Sequence, residues 1–158
     1  MSVCFSAFPG RPEGVALARR FVGGALRIAP EADVSAEMVE RAELITSELC
    51  ANAVLHTLSG GPDGTFRVRV QVDARGARTE VRTLPPRRPC DLPRVLEPDP
   101  GSERGRGMFL VDRLAARWGT LAPAEDGVYF VLRWLSPPAP PPRPAPLPRR
   151  SAVERRGR

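Results

Sequence analysis

The sequence contains no lysine: its 24 basic residues are all arginine, against 18 acids, for a formal charge of +6. That absence excludes Schiff-base chemistry and the Walker-type phosphate loop, whose lysine reaches the terminal phosphates. Histidine occurs once, at His56, so a histidine-based metal site or nucleophile–histidine pair would have to use it. The three cysteines, Cys4, Cys50 and Cys90, are far apart and form no CxxC, neither a disulfide framework nor a zinc signature. No apolar run approaches the ~20 residues of a membrane span. No basic segment followed by an apolar stretch opens the chain, so no signal peptide is read and a cytoplasmic protein is expected.

What remains, 158 residues with 42% apolar content, suits one globular domain able to bury a core unaided. Residues 3–8 alternate weakly and suggest a short first strand before Pro9-Gly10. Val15, Leu17, Ala18, Phe21, Val22, Ala25 and Leu26 are spaced for a helix, weakened at Gly23-Gly24. Ser35 caps a second, longer helix with Glu37 and Glu40 in its first turn, ending near Ser59-Gly60-Gly61-Pro62. Phe66 to Val72 alternates apolar residues with Arg67, Arg69 and Gln71, and Thr79 to Arg82 follows a turn around Asp73 to Gly76. Together they predict a half-buried hairpin.

After Thr83, six prolines from Pro85 to Pro100 forbid regular structure, as in a functional lid or a disordered loop. A third, short helix is expected from Gly107, then strands over Trp118–Leu121 and Val128–Trp134. From Ser136 the chain holds eight prolines, six arginines and one acid, and reads as an extended tail. The predicted architecture is an α/β two-layer sandwich, a mostly antiparallel mixed sheet covered on one face by three helices. Its domain spans residues 1–135, with a Pro/Arg-rich tail over 136–158.

Two features carry chemistry. On a wheel of about 100° per residue, Glu48 and Asn52 fall between an apolar flank of Leu44, Ala51 and Leu55 and another of Ala42, Ile45 and Leu49. Thr46, Ser47 and Cys50 fall opposite. A carboxylate among leucines costs several kcal/mol unless it is paired or opens on a polar cavity. Glu48 and Asn52 are one turn apart, and His56 continues the row. The second feature is Arg104-Gly105-Arg106-Gly107 at the start of the third helix. Glycines there can turn N–H groups toward an anion, and the arginines can bond phosphate oxygens.

Glu48-Leu-Cys-Ala-Asn52-Ala-Val-Leu-His56, a long loop, then Arg104-Gly105-Arg106-Gly107-Met-Phe-Leu-Val resembles the anti-sigma-factor serine kinase family. That family belongs to the ATPase superfamily of gyrase, the heat-shock chaperone and histidine kinases. The resemblance covers about residues 5–135 and implies ATP and magnesium (Mg2+) as cofactors. It implies that Glu48 is the general base toward a serine hydroxyl. Asn52 would ligate the magnesium bridging the nucleotide phosphates, Gly105 and Gly107 would wrap those phosphates, and residues 84–104 would be the nucleotide lid. The partners it implies are an anti-anti-sigma protein carrying the acceptor serine, a sigma factor, and a second copy in a homodimer.

The chain departs from the family where an aspartate followed by glycine reads the adenine: Thr83 stands there, and a hydroxyl replaces the carboxylate. Two readings therefore stand, an ATP-dependent protein-serine kinase and a non-catalytic relative that binds partner proteins. By segment, residues 1–135 carry a net +1 and residues 136–158 carry +5. No membrane contact and no specific nucleic-acid binding are expected, because the basic excess lies in the tail.

Overall fold

A computed structural model of the chain describes residues 1–88 and 106–134. Pro12 supplies a preset φ at the first turn of helix α1 (Pro12–Ile28), with Glu13 at its positive end and Arg27 at its negative end. The helix runs straight through Gly23-Gly24. A Cβ on Gly23 would collide with the Glu43 carboxylate, which Arg27 pairs at 3.1 Å. Close packing of α1 on the second helix therefore outweighs the ~1 kcal/mol that glycine costs in a helix. That helix, α2 (Ala36–His56), starts on Ser35, whose hydroxyl accepts the Met38 N–H at 3.3 Å. It stops at Thr57, whose N–H and hydroxyl both donate to the Ala53 carbonyl, and a 3-10 turn over Leu58–Gly60 follows.

Strand β1 (Ser2–Pro9) lies at one edge of a five-stranded sheet, in the order β1-β2-β3-β5-β4. Strands β2 (Thr65–Asp73) and β3 (Gly76–Arg82) form the expected hairpin on a two-residue turn, with Asp73 opposite Gly76. The Asp73 carboxylate accepts the Arg75 N–H at 2.7 Å and holds that turn. Helix α3 (Arg106–Leu114) leads into β4 (Arg117–Thr120) and β5 (Gly127–Arg133). All four strand pairings are antiparallel. The sheet thus contains no parallel pair among its described strands. Residues 135–158 and 89–105 lie outside the described residues, and with them the predicted tail and most of the predicted lid.

The core fills the space between the three helices and one sheet face, where Phe66, Phe130, Leu26 and Ile45 are fully buried. Burying each such side chain is worth roughly 1.5–3 kcal/mol. No helix among the described residues is long and apolar enough to cross a membrane.

The opposite sheet face carries no helix, and it holds one nearly buried acid. The Glu80 side chain is 7% exposed, bonded by Arg78 Nε at 3.0 Å and Arg82 Nη2 at 2.8 Å, with Arg69 at 3.7 Å. Burial alone would raise its pKa. The hydrogen bonds and charges of Arg82 and Arg78 outweigh that and hold the carboxyl below the usual range.

Candidate functional site

Helix α2 buries one of the two apolar flanks of its wheel, that of Ala42, Ile45 and Leu49, and leaves most of the other outside. Val39, Ala42, Ile45, Thr46, Leu49, Cys50 and Ala53 face the core, whereas Leu44 and Leu55 are 42% and 66% exposed. Thr46 and Cys50, expected on the polar side, are completely buried. The apolar residues of α2 surround too much of its circumference to locate one seam. Packing chose the side where small residues let α1 and the sheet approach closely. Glu48 and Asn52 consequently stand at the rim of the buried arc, half-buried, and not at its centre.

From that rim Glu48 meets α3. A Cβ built on Gly107 would lie 2.5 Å from Glu48 Oε2 and 3.5 Å from its Cδ. Only glycine at this position lets the carboxylate lie against the first turn of α3. The two features singled out in the sequence are thereby joined in space, across 58 intervening residues. Arg106 begins the helix and is exposed, while Arg104 and Gly105 lie outside the described residues. Asn52 follows Glu48 by one turn, and the exposed His56 follows Asn52 by another.

The end of the row is closed by a segment whose role the sequence did not disclose. After β3 the chain crosses the C-terminus of α2. The Leu84 N–H donates to Ser59 Oγ at 2.9 Å, and the Leu58 N–H donates to the Pro85 carbonyl at 2.9 Å. The Arg87 N–H donates to the His56 carbonyl and its Nε to the Thr57 carbonyl, each at 2.9 Å. Arg87 thus answers the unpaired carbonyls and negative dipole end of α2. Its distance in sequence from α2 hides this from any local pattern.

Thr83 precedes the crossing, half-buried, with its N–H donating to the Asp126 carbonyl at 3.0 Å. It lines an open cleft of about 300 Å3 with Arg67, Arg82 and Asp126, which does not include Glu48, Asn52 or Gly107. Thr83 directly precedes Leu84, which bonds Ser59 past the His56 end of the row, and Gly107 lies at the Glu48 end. Glu48 to His56 spans about 12 Å of helix axis at 1.5 Å per residue.

This arrangement offers a proton-accepting oxygen at Glu48, an amide at Asn52 and a helix start that favours anions. Among the described residues no group of three or more His, Cys, Asp or Glu could hold a metal. A cation here would need ligand oxygens beyond those of the protein, as magnesium on phosphates has. Burial pushes the Cys50 thiol pKa far up, so it is no nucleophile.

No curated protein matches the chain. The sequence pattern of the histidine kinase-like ATPase domain matches residues 8–127, which begin at the end of β1 and reach the start of β5. The match covers well over half of the sequence and takes in α2, the crossing segment and α3, and the chain belongs to the histidine kinase-like ATPase domain family.

Proposed function

We propose that the protein is an ATP-binding regulator of the anti-sigma serine-kinase type, which phosphorylates a serine of an anti-anti-sigma partner. The observation that carries this reading is the Glu48 carboxylate lying against Gly107, one turn from Asn52. In this reading Glu48 takes the proton of the serine hydroxyl as its oxygen attacks the terminal phosphorus, and the bond from that phosphorus to the bridging oxygen breaks, so that ADP leaves with its electron pair. Asn52 would supply an amide oxygen to a magnesium ion, and Arg106 with the N–H groups around Gly107 would hold phosphate oxygens. The family resemblance assigns Arg104 and Gly105, outside the described residues, to the same phosphates. Bound magnesium would neutralise phosphate charge, and the protein residues would position and deprotonate.

The phosphate end of the row fits such a ligand. The base end fits less well, because Thr83 offers a hydroxyl where the family's carboxylate would accept the adenine amino group. A charged hydrogen bond is worth about 1.5–3 kcal/mol, or roughly 10- to 150-fold in affinity. Thr83 favours a second reading, a partner-binding module on the same scaffold without nucleotide turnover.

Calorimetry with magnesium-ATP on the wild type and on Asn52→Ala separates the two. Binding in the micromolar range that Asn52→Ala abolishes supports the nucleotide site, and Glu48→Ala should keep that binding while losing transfer. Absence of heat at millimolar ATP sinks the kinase reading and leaves the adaptor.

A further inference from the structure

The helix-free face of the sheet sorts the charges of a domain that is nearly neutral overall. Strand alternation and register place Arg67 and Arg69 of β2, Arg78 and Arg82 of β3, Arg117 of β4 and Arg133 of β5 on this one face. The acids sharing it are Glu80, already enclosed by Arg78 and Arg82, and Asp73 at the hairpin, with Glu125 at the rim bound to Arg82 at 2.8 Å and Asp126 beside it in the cleft that Arg67 and Arg82 line. Arg67, Arg117 and Arg133 pair with no acid among the described residues. Between β2, β3, β4 and β5 lies an open cleft of about 560 Å3, whose lining includes Gln71, Arg78, Arg117, Val131 and Arg133. Beside it β1 shows Phe5, 81% exposed and opposite Arg69, and Val3, 43% exposed.

We propose that this face docks an acidic polypeptide segment, its carboxylates taken by the arginines around the cleft and an apolar side chain by Phe5 and Val3. Charge excludes the two nearest alternatives. A second copy would set six arginines against six, and residues 136–158 bring six more arginines with only Glu154 to offset them. A single-stranded nucleic acid also fits poorly, because it needs free rings for its bases to stack on. The Tyr129 ring is capped by the Arg78 guanidinium at 3.7 Å, which leaves Phe5 as the exposed ring. The guanidiniums of Arg78 and Arg82 are already fixed by Glu80, so less side-chain entropy is lost on docking. This inference concerns the opposite face from Glu48 and Gly107 and stands without the nucleotide reading.

The test uses the full chain, isotopically labelled and titrated with poly-L-glutamate, with oligo-dT as the competing polyanion. Amide shifts should cluster at Phe5, Arg69, Arg117, Tyr129 and Val131. Arg117→Glu with Arg133→Glu should weaken binding about tenfold or more. Lysine at both positions should restore most of it, and Arg149→Glu with Arg150→Glu in the tail should change it less than about threefold. Unchanged melting of the exposed-site variants keeps a folding defect apart from a binding defect. Shifts confined to the helices or tail, equal affinity after reversal, or tighter binding of oligo-dT would each overturn the proposal. So would a dimer in sedimentation that Arg117→Glu dissociates.

Discussion

Gly107→Ala separates the packing contact between α2 and α3 from the chemistry assigned to it. The added Cβ would sit 2.5 Å from Glu48 Oε2, against roughly 3.5 Å for ordinary contact. The carboxylate must therefore retreat by about 1 Å. The remaining Glu48 atoms lie at 3.5 Å (Cδ) and 3.8 Å (Cβ), so only the far end of a flexible side chain has to turn. Forcing it off its preferred rotamer costs about 0.5–1.5 kcal/mol. Replacing glycine by alanine within a helix contributes about 0.5–1 kcal/mol in the other direction. The single variant is thus expected to stay within about 1 kcal/mol of the wild type.

In a Glu48→Ala chain the obstructing carboxylate is gone, and Gly107→Ala should stabilise by about 0.5–1 kcal/mol. Urea unfolding of the four chains of this cycle measures a coupling of about 0.5–1.5 kcal/mol. An identical effect of Gly107→Ala in both backgrounds would refute the contact between α2 and α3 at this point. The same displacement bears on function, since a group misplaced by about 1 Å can cost roughly a hundredfold in rate. On the proposed kinase reading, Gly107→Ala should therefore leave the fold nearly as stable while losing most ATP-dependent phosphoryl transfer.

Two further expectations rest on other parts of the molecule. On the proposed nucleotide reading, Thr83→Asp supplies the charged acceptor for the adenine, and calorimetry should show magnesium-ATP binding tightened by roughly 10- to 150-fold; no gain would remove Thr83 from that site. Glu80→Gln should cost about 1–3 kcal/mol at neutral pH, less than the roughly 3–5 kcal/mol for breaking a fully buried pair. Its arginine partners are 36–37% exposed and screened by solvent. Because the folded carboxyl is held below its ordinary 4.5, this stability is present above that pH and is lost as pH falls through the folded value. Melting curves of wild type and Glu80→Gln should converge in acid, and a gap that persists there would refute the pairing.

Local rules made much of this fold legible before any coordinates. Ser35 announced the start of α2, and the Asp73-to-Gly76 turn fixed a register from which the rest of the hairpin follows. Counting back four residues on each strand from Asp73 opposite Gly76 puts Arg69 opposite Glu80, as observed. The sequence could therefore have disclosed one of the arginines facing Glu80. It could not disclose Tyr129 opposite Glu80, because β5 reaches β3 only after the crossing segment, the long loop and α3. Arg87 at the end of α2 escaped for the same reason: its partners His56 and Thr57 belong to a distant segment.

The orientation of α2 was illegible for a different reason. An apolar residue type states that burial is favourable, but the direction of burial is decided by which side can be approached most closely. The buried side alternates small Ala42, Thr46, Cys50 and Ala53, which admit the sheet and α1, with Val39, Ile45 and Leu49, which fill the gaps, and Leu44 and Leu55 were left outside. The consequence for the site is favourable. At the centre of the buried arc a carboxylate would cost several kcal/mol without a partner. At the rim Glu48 retains access to a ligand, while Gly107 shields one of its oxygens. The claim of Glu48 to function therefore rests on its contact with α3 and not on burial among leucines.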